Sequence, residues 1–220
     1  TKTGSKNSKT KVAFNTYVGF QETTRKLPLL NATEYALILN ESYAAAGQNL
    51  PYPNVSGLGV GTDWQDEVFN ASVPIVNHDF SVSGGSEKLA YTISGSHLYQ
   101  QGIIAPKKTD FRRNTARLSL RGDISDKIKF SSNVIYTYLD RDSVNDFGLG
   151  SVLFNALNAP PTLSAYDQNG DFSLVPNTAG LGIEIINPLA QIENTFNDFD
   201  LRKLNGSFSV DYQPTDQLTF

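Results

Sequence analysis

Cysteine is absent from the chain, which excludes disulfides and thiolate metal sites and leaves the redox compartment unreadable. No stretch approaches 18 consecutive apolar residues, so the sequence encodes no transmembrane helix. Charged residues, at 18%, and apolar residues, at 39%, both fall below the usual share. A water-soluble globule ordinarily joins a large aliphatic core to a charged surface, and this chain is short of both. The net charge of −4 gives no bulk attraction to nucleic acid. What is plentiful is aromatic, with 13 Phe and 10 Tyr against 1 Trp, on a background of Ser, Thr, Asn and Gly. That profile suits strands with one apolar and one polar face, and such strands cross membranes while keeping average hydropathy low.

Period-two alternation recurs along the chain. From Lys11 to Phe20, Val12, Phe14, Thr16, Val18 and Phe20 share one face. A helix is expected from Asn31 to Gly47, with Asn31 or Thr33 as N-cap, and a helical turn from Trp64 to Phe69. Strands resume at Ile75 to Ser83, turn at Gly84-Gly85-Ser86-Glu87, and continue with Leu89, Tyr91, Ile93 and Tyr99 on one face. In the fourth, Ala116, Leu118, Leu120 and Ile124 oppose Arg113, Arg117 and Arg121. After Ser125-Asp126-Lys127 the fifth places Ile128, Phe130, Val134, Tyr136 and Tyr138 together. A short helix is expected at Gly150 to Asn158, a sixth strand from Phe199 to Gln213, and a seventh beginning at Leu218.

Every second connection is tight and every other one is long. An up-and-down membrane barrel has this asymmetry, with outer loops here at about 21–74, 100–110 and 140–198. Several strands run to ten residues or more, enough to cross a bilayer tilted, where ordinary sheets use about five or six. Aromatics close to strand ends (Phe20, Tyr99, Tyr138, Tyr212) fit an interfacial girdle. A soluble antiparallel sheet with a Phe, Tyr and Val core stays open on periodicity alone. The opening without Met and the stop at Leu218-Thr219-Phe220 are expected to be cuts in a longer polypeptide.

Other motifs carry less. Gly57-Leu58-Gly59-Val60-Gly61 lacks the preceding strand and long following helix of a phosphate-cradling loop. Asp167-Gln168-Asn169-Gly170-Asp171 resembles a calcium loop, but Gly stands fourth and position twelve is Thr178, so a hairpin turn is the better reading. His78 and His97 fall on apolar faces, where packing or an interfacial place suits them better than catalysis. With neither Cys nor a G-x-S-x-G elbow, nucleophilic catalysis has no visible apparatus; no enzyme, cofactor or metal is expected.

The segment Gly61-Thr62-Asp63-Trp64-Gln65-Asp66-Glu67-Val68-Phe69 resembles a stretch of SusC/RagA-type TonB-dependent outer-membrane transporters. The hairpin Ser83-Gly84-Gly85-Ser86-Glu87 with Tyr91 and Ser94, the pieces Gln101-Gly102-Ile103-Ile104, Phe111-Arg112-Arg113 and Arg117-Leu118-Ser119-Leu120, and Asn187-Pro188-Leu189-Ala190 resemble further family elements, in family order. The resemblance implies an all-β fold, a transmembrane antiparallel β-barrel of roughly 22 strands. Residues 1–10 would link from a plug domain, and 11–220 would form about seven strands of wall with helix-bearing extracellular loops. It also implies TonB-dependent import of oligosaccharides or peptides across the bacterial outer membrane, with a SusD-like lipoprotein as lid and barrel–lid pairs assembling as dimers. In a bacterial outer-membrane protein N-x-[ST] sequons such as those at Asn31, Asn54, Asn70 and Asn205 are chance matches.

Within that frame Arg113, Arg117 and Arg121 would face the lumen, where they contact the plug or line the substrate path, plug contact being preferred. Tyr52, Trp64 and Tyr166 are candidate ligand or lid contacts in the outer loops, with loop packing the competing role, above all for Trp64. A passive porin, a surface adhesin barrel and a soluble carbohydrate-binding β-domain are the alternatives.

Overall fold

The computed structural model describes residues 4–70, 72–176, 184–215 and 218. Six long strands form one sheet: β1 (Ser8–Gln21), β2 (Val73–Gly85), β3 (Leu89–Gln101), β4 (Asp110–Ser125), β5 (Ile128–Asp142) and β6 (Asp198–Tyr212). They lie side by side in chain order, every neighbouring pair antiparallel. Each is 13 to 16 residues long, well beyond what a bilayer crossing requires. The seventh strand expected from Leu218 lies outside the described residues, apart from a Thr215–Leu218 bridge.

The register sorts the side chains into rows. On one face Val12, Val82, Ile93, Leu118, Val134 and Gly206 stand opposite one another in turn, and the next row is Phe14, Phe80, Gly95, Ala116, Tyr136 and Leu204. On the other face the rows read Lys11, Ser83, Thr92, Ser119, Asn133, Ser207 and Asn15, Asp79, Ser96, Thr115, Thr137, Lys203. Among the described residues nothing covers the apolar face: Phe14 is 63% exposed and Phe208 68%. Among the described residues no helix packs on either face of the sheet. A soluble sheet leaving such a face in water would forfeit its main driving force. A wall with lipid on one side and a hydrated interior on the other does not.

Connections 22–72, 102–109 and 143–197 all leave one end of the sheet, and the tight joints 86–88 and 126–127 lie at the other. Among the described residues the long connections hold four helices, α1 (Ala32–Ala45), α2 (Trp64–Val68), α3 (Val152–Asn158) and α4 (Pro188–Asn194). None is long and apolar enough to cross a membrane. Of the two N-cap candidates for α1, Asn31 is the cap. Its Oδ1 accepts from Glu34 N at 2.9 Å and Glu34 Oε2 accepts from Asn31 N at 3.0 Å, a closed capping box. Val73 and Ala90 are buried singly in the sheet, while the buried apolar cluster lies in this outer cap. Trp64, Val68, Val152, Ala156 and Ala159 pack there with Ala105 and Val144.

Candidate functional site

The cap is assembled around Gly61 to Phe69. Gly61 has a positive φ of 73°, and a side chain there would collide with the Pro161 carbonyl and Ala32. Thr62 N donates to Pro161 O at 2.8 Å. Asp63 caps α2 by accepting from Gln65 N and Asp66 N. Trp64 is 3% exposed and its indole Nε1 donates to Pro160 O at 2.9 Å, so its ring holds loop to loop. Gln65 grips the backbone of Leu27 at both ends, its Oε1 accepting from Leu27 N (2.9 Å) and its Nε2 donating to Leu27 O (2.8 Å). Phe69 bridges to Ile104. One short segment thereby ties the three outer loops together.

Other carboxamides repeat the device. Asn40 grips Tyr52 N and O at 3.0 and 2.7 Å. Asn155, 1% exposed, donates to Gln191 Oε1 and accepts from Ile186 N. Asn187 caps α4, accepting from Leu189 N and Ala190 N while its Nδ2 donates to Ala165 O and Ser173 O. Helix α4 was not among the expected helices, although Asn followed by Pro at the first helical position is a legible start signal.

Between these parts lies a cleft of about 470 Å³, lined by Leu27 to Asn31, Tyr35, Thr62 to Gln65, Ala156 to Ala159 and Pro161. Burial, then the neighbouring Tyr52 and Tyr43, push the Tyr35 hydroxyl above its ordinary range, holding it as a proton donor. Of the three outer-loop candidates, Trp64 is inside the cap core. Tyr52 is half-buried with its hydroxyl 3.0 Å from Thr162 Oγ1, and Tyr166 keeps an exposed ring against Phe172, centroids 5.2 Å apart. Tyr166 and Phe172 flank a hairpin in which Asp167 Oδ1 accepts from Asn169 N and Asp171 N, the turn expected there.

On the polar face, Arg117 Nε donates to Asn133 Oδ1 at 2.9 Å. Arg117 and Arg121 border a common hollow of about 150 Å³ with Gly4, Ser119 and Ser131. Arg113 stands apart from it, beside Leu98 and Leu139. The segment before β1 crosses this face at its tight-turn end: Gly4 N donates to Thr92 Oγ1 at 2.8 Å, Lys6 pairs with Asp123, and Asn7 N donates to Ser86 O at 3.0 Å. His78 and His97 stack on the apolar side, centroids 6.4 Å apart, in one row with Thr16 and Asn114.

The one-sided rows, the strand lengths and the segregation of long and short joints define a wall segment of an outer-membrane-type β-barrel. No family model matches the chain. "TonB-dependent receptor P26" of Formosa agariphila is 30% identical over 217 residues, 99% of this chain and 21% of that protein. "TonB-dependent receptor SusC" of Bacteroides thetaiotaomicron is 29% identical over 175 residues, 78% of this chain and 16% of its own length. A structure of the RagAB peptide transporter superposes on the whole chain with a TM-score of 0.75 at 18% identity, using 28% of that chain. In the "open-open" state of the RagAB peptide importer the TM-score is 0.69. Over most of its length the chain is similar to TonB-dependent receptors, SusC among them. It spans about a fifth of the length of the curated relatives it matches.

Proposed function

We propose that residues 11–220 are part of the barrel wall and extracellular loops of an energy-coupled importer in the bacterial outer membrane, with residues 1–10 leading from its plug. The observation that carries this is the apolar band that runs across six neighbouring strands, backed by a face of Ser, Thr, Asn and Arg. Such a sheet is satisfied only in a closed wall between lipid and a hydrated lumen. The likeness to SusC and to the RagAB peptide importer supports an oligosaccharide or peptide cargo, a SusD-like lipoprotein closing over the loops, TonB as the energy link and pairing of barrel–lid units. A peptide is the cargo to test first. Transport requires no bond making, so no catalytic residue is assigned.

Arg117 and Arg121 beside the strap of residues 4–7, with Arg113 further out, supply cations to plug carboxylates. Tyr52 and Tyr166 are the loop rings that meet cargo or lid, while Trp64 keeps the loops in shape. The test is uptake of labelled oligopeptides and oligosaccharides by cells carrying the full-length receptor, with and without TonB and the lipoprotein. Uptake is expected to fail when either is removed; uptake persisting without both would identify a passive channel. The triple change Arg113→Gln, Arg117→Gln, Arg121→Gln is expected to loosen plug retention, and unchanged retention and transport would remove the arginines from this role.

A further inference from the structure

Glycines on the lipid-side face are treated in two ways. At Gly122 the ring of Phe130, directly opposite on β5, stands where a side chain would be, so the surface there is filled. At Gly95 a Cβ would meet nothing closer than the Thr115 backbone oxygen at 3.8 Å. Gly95 lies opposite Ala116, and the two small residues open a notch of about 410 Å³ in this face. Phe14, Phe80 and Tyr136 wall it, and His78, His97 and Asn114 close its loop-side rim.

The position of the notch along the strands decides what fills it. From Tyr212 to Leu204 on β6 five successive outward positions, eight residue steps end to end, carry no charge. At about 3.4 Å per residue and a tilt of about 40° that is about 20 Å of height, close to the apolar band of a barrel. The notch sits in the last row of this band. The next row outward is Thr16, His78, His97, Asn114, Tyr138 and Arg202, and beyond it come Val18, Val76 and Tyr99 on β1 to β3 and Arg112, Asp140 and Asp200 on β4 to β6. The rim groups are engaged with one another, Thr16 Oγ1 and His78 Nδ1 at 2.7 Å and His97 Nδ1 and Asn114 Oδ1 at 2.7 Å. That leaves the carbon-lined hollow without a partner of its own. An apolar concavity starting one row below a polar edge matches hydrocarbon that begins below a head group. Its continuity with the lipid-facing band makes lipid the occupant.

We infer that the Gly95–Ala116 notch is a seat for one acyl chain of an outer-leaflet lipid, the head group resting at the level of the His78–His97 pair. This rests on the outward orientation of the apolar face proposed above. The test is cryo-electron microscopy and native mass spectrometry of the full-length receptor in lipid nanodiscs, with Gly95→Leu and Ala116→Leu as variants and Ser132→Leu, two rows away on the same face, as control. Ordered chain density in the notch and one retained lipid per barrel are expected for the unaltered protein and the control, and loss of both for the filling variants. An empty notch in the unaltered protein, or density unchanged by filling it, overturns the inference. Labelling of Val12→Cys and Leu118→Cys by a membrane-impermeant maleimide separates the two levels. Reactive cysteines would overturn the orientation itself, whereas protected cysteines with an empty notch would overturn only the seat. Heat-modifiable gel mobility shows which variants have folded, and the density in the unaltered protein decides the matter if none has.

Discussion

The wall and the outer cap solve the same problem by opposite means. In the wall, adjacent strands satisfy one another's peptide groups, so side chains are free to be lipid-facing or water-facing by simple alternation. In the cap, connections 22–72 and 143–197 have little ladder to use, and buried carboxamides take its place. Gln65 and Asn40 each grip one backbone N–H and C=O as a neighbouring strand would, and Asn155 and Asn187 join segments that no strand pairing brings together. The wall is therefore a repetitive structure that tolerates polar exchange on one face. The cap is a set of specific joints, and damage to it should stay in the cap.

The largest test of that division is Trp64→Ala, which removes the only indole of the sequence from the cap core. A loss of about 3–5 kcal/mol is expected for emptying an aromatic site. The outer loops should become sensitive to added protease while the heat-modifiable mobility of the barrel persists. Concerted loss of both would show that wall and cap are one cooperative unit. Next comes a paired change in the wall. Leu120→Arg, in the middle of the apolar band, is expected to cost about 2–4 kcal/mol of barrel stability, and Ser119→Arg, one residue back and facing the lumen, close to nothing. Denaturant titration in lipid measures both, and equal costs would mean the two faces are not differently solvated.

Asn187→Ala sharpens the account of the cap. It leaves the carbonyls of Ala165 and Ser173 and the first turn of α4 without partners, at about 1–3 kcal/mol for each buried group left unsatisfied. Asn187→Ser keeps a capping oxygen without a buried charge and loses the amide donor, so its protease sensitivity should fall between those of the unaltered protein and Asn187→Ala, and a value no better than Ala would deny the cap bond any share.

The wall was legible in the sequence because its code is one bit per residue. Every face assigned by alternation, including that of His78 opposite His97, agrees with the register. Strand ends were less legible. β1 begins at Ser8 rather than Lys11, and β2 takes in Pro74, which pairs with Phe20 of β1 just beyond the end of the β3 ladder, where its missing N–H costs nothing. The resemblance marked Gly61 to Phe69 without saying what the residues do. That Gln65 holds Leu27 and Trp64 reaches Pro160 depends on contacts across 38 and 96 positions, for which no local pattern exists. The cleft between residues 27–31 and 156–161 was invisible for the same reason, and so was the Gly95 notch, which exists only once β3 and β4 are in register.

The smallest expected effect concerns Tyr35 in that cleft. Burial, then Tyr52 and Tyr43, raise its hydroxyl above the ordinary value of 10.0. A raised folded value means that the contribution of Tyr35 to the cap is complete below the unfolded value and is lost as pH rises through the folded one. Around neutrality Tyr35→Phe should therefore change protease resistance little. Above pH 10 the unfolded loops would ionise at this position before the folded cap does, so the alkaline decline of cap stability should be shallower in the variant. Parallel protease half-lives from neutral pH upward measure it. An identical alkaline limb in both proteins would mean that the cleft holds Tyr35 no more tightly to its proton than water does, and the cleft would then be open rather than enclosed at that wall.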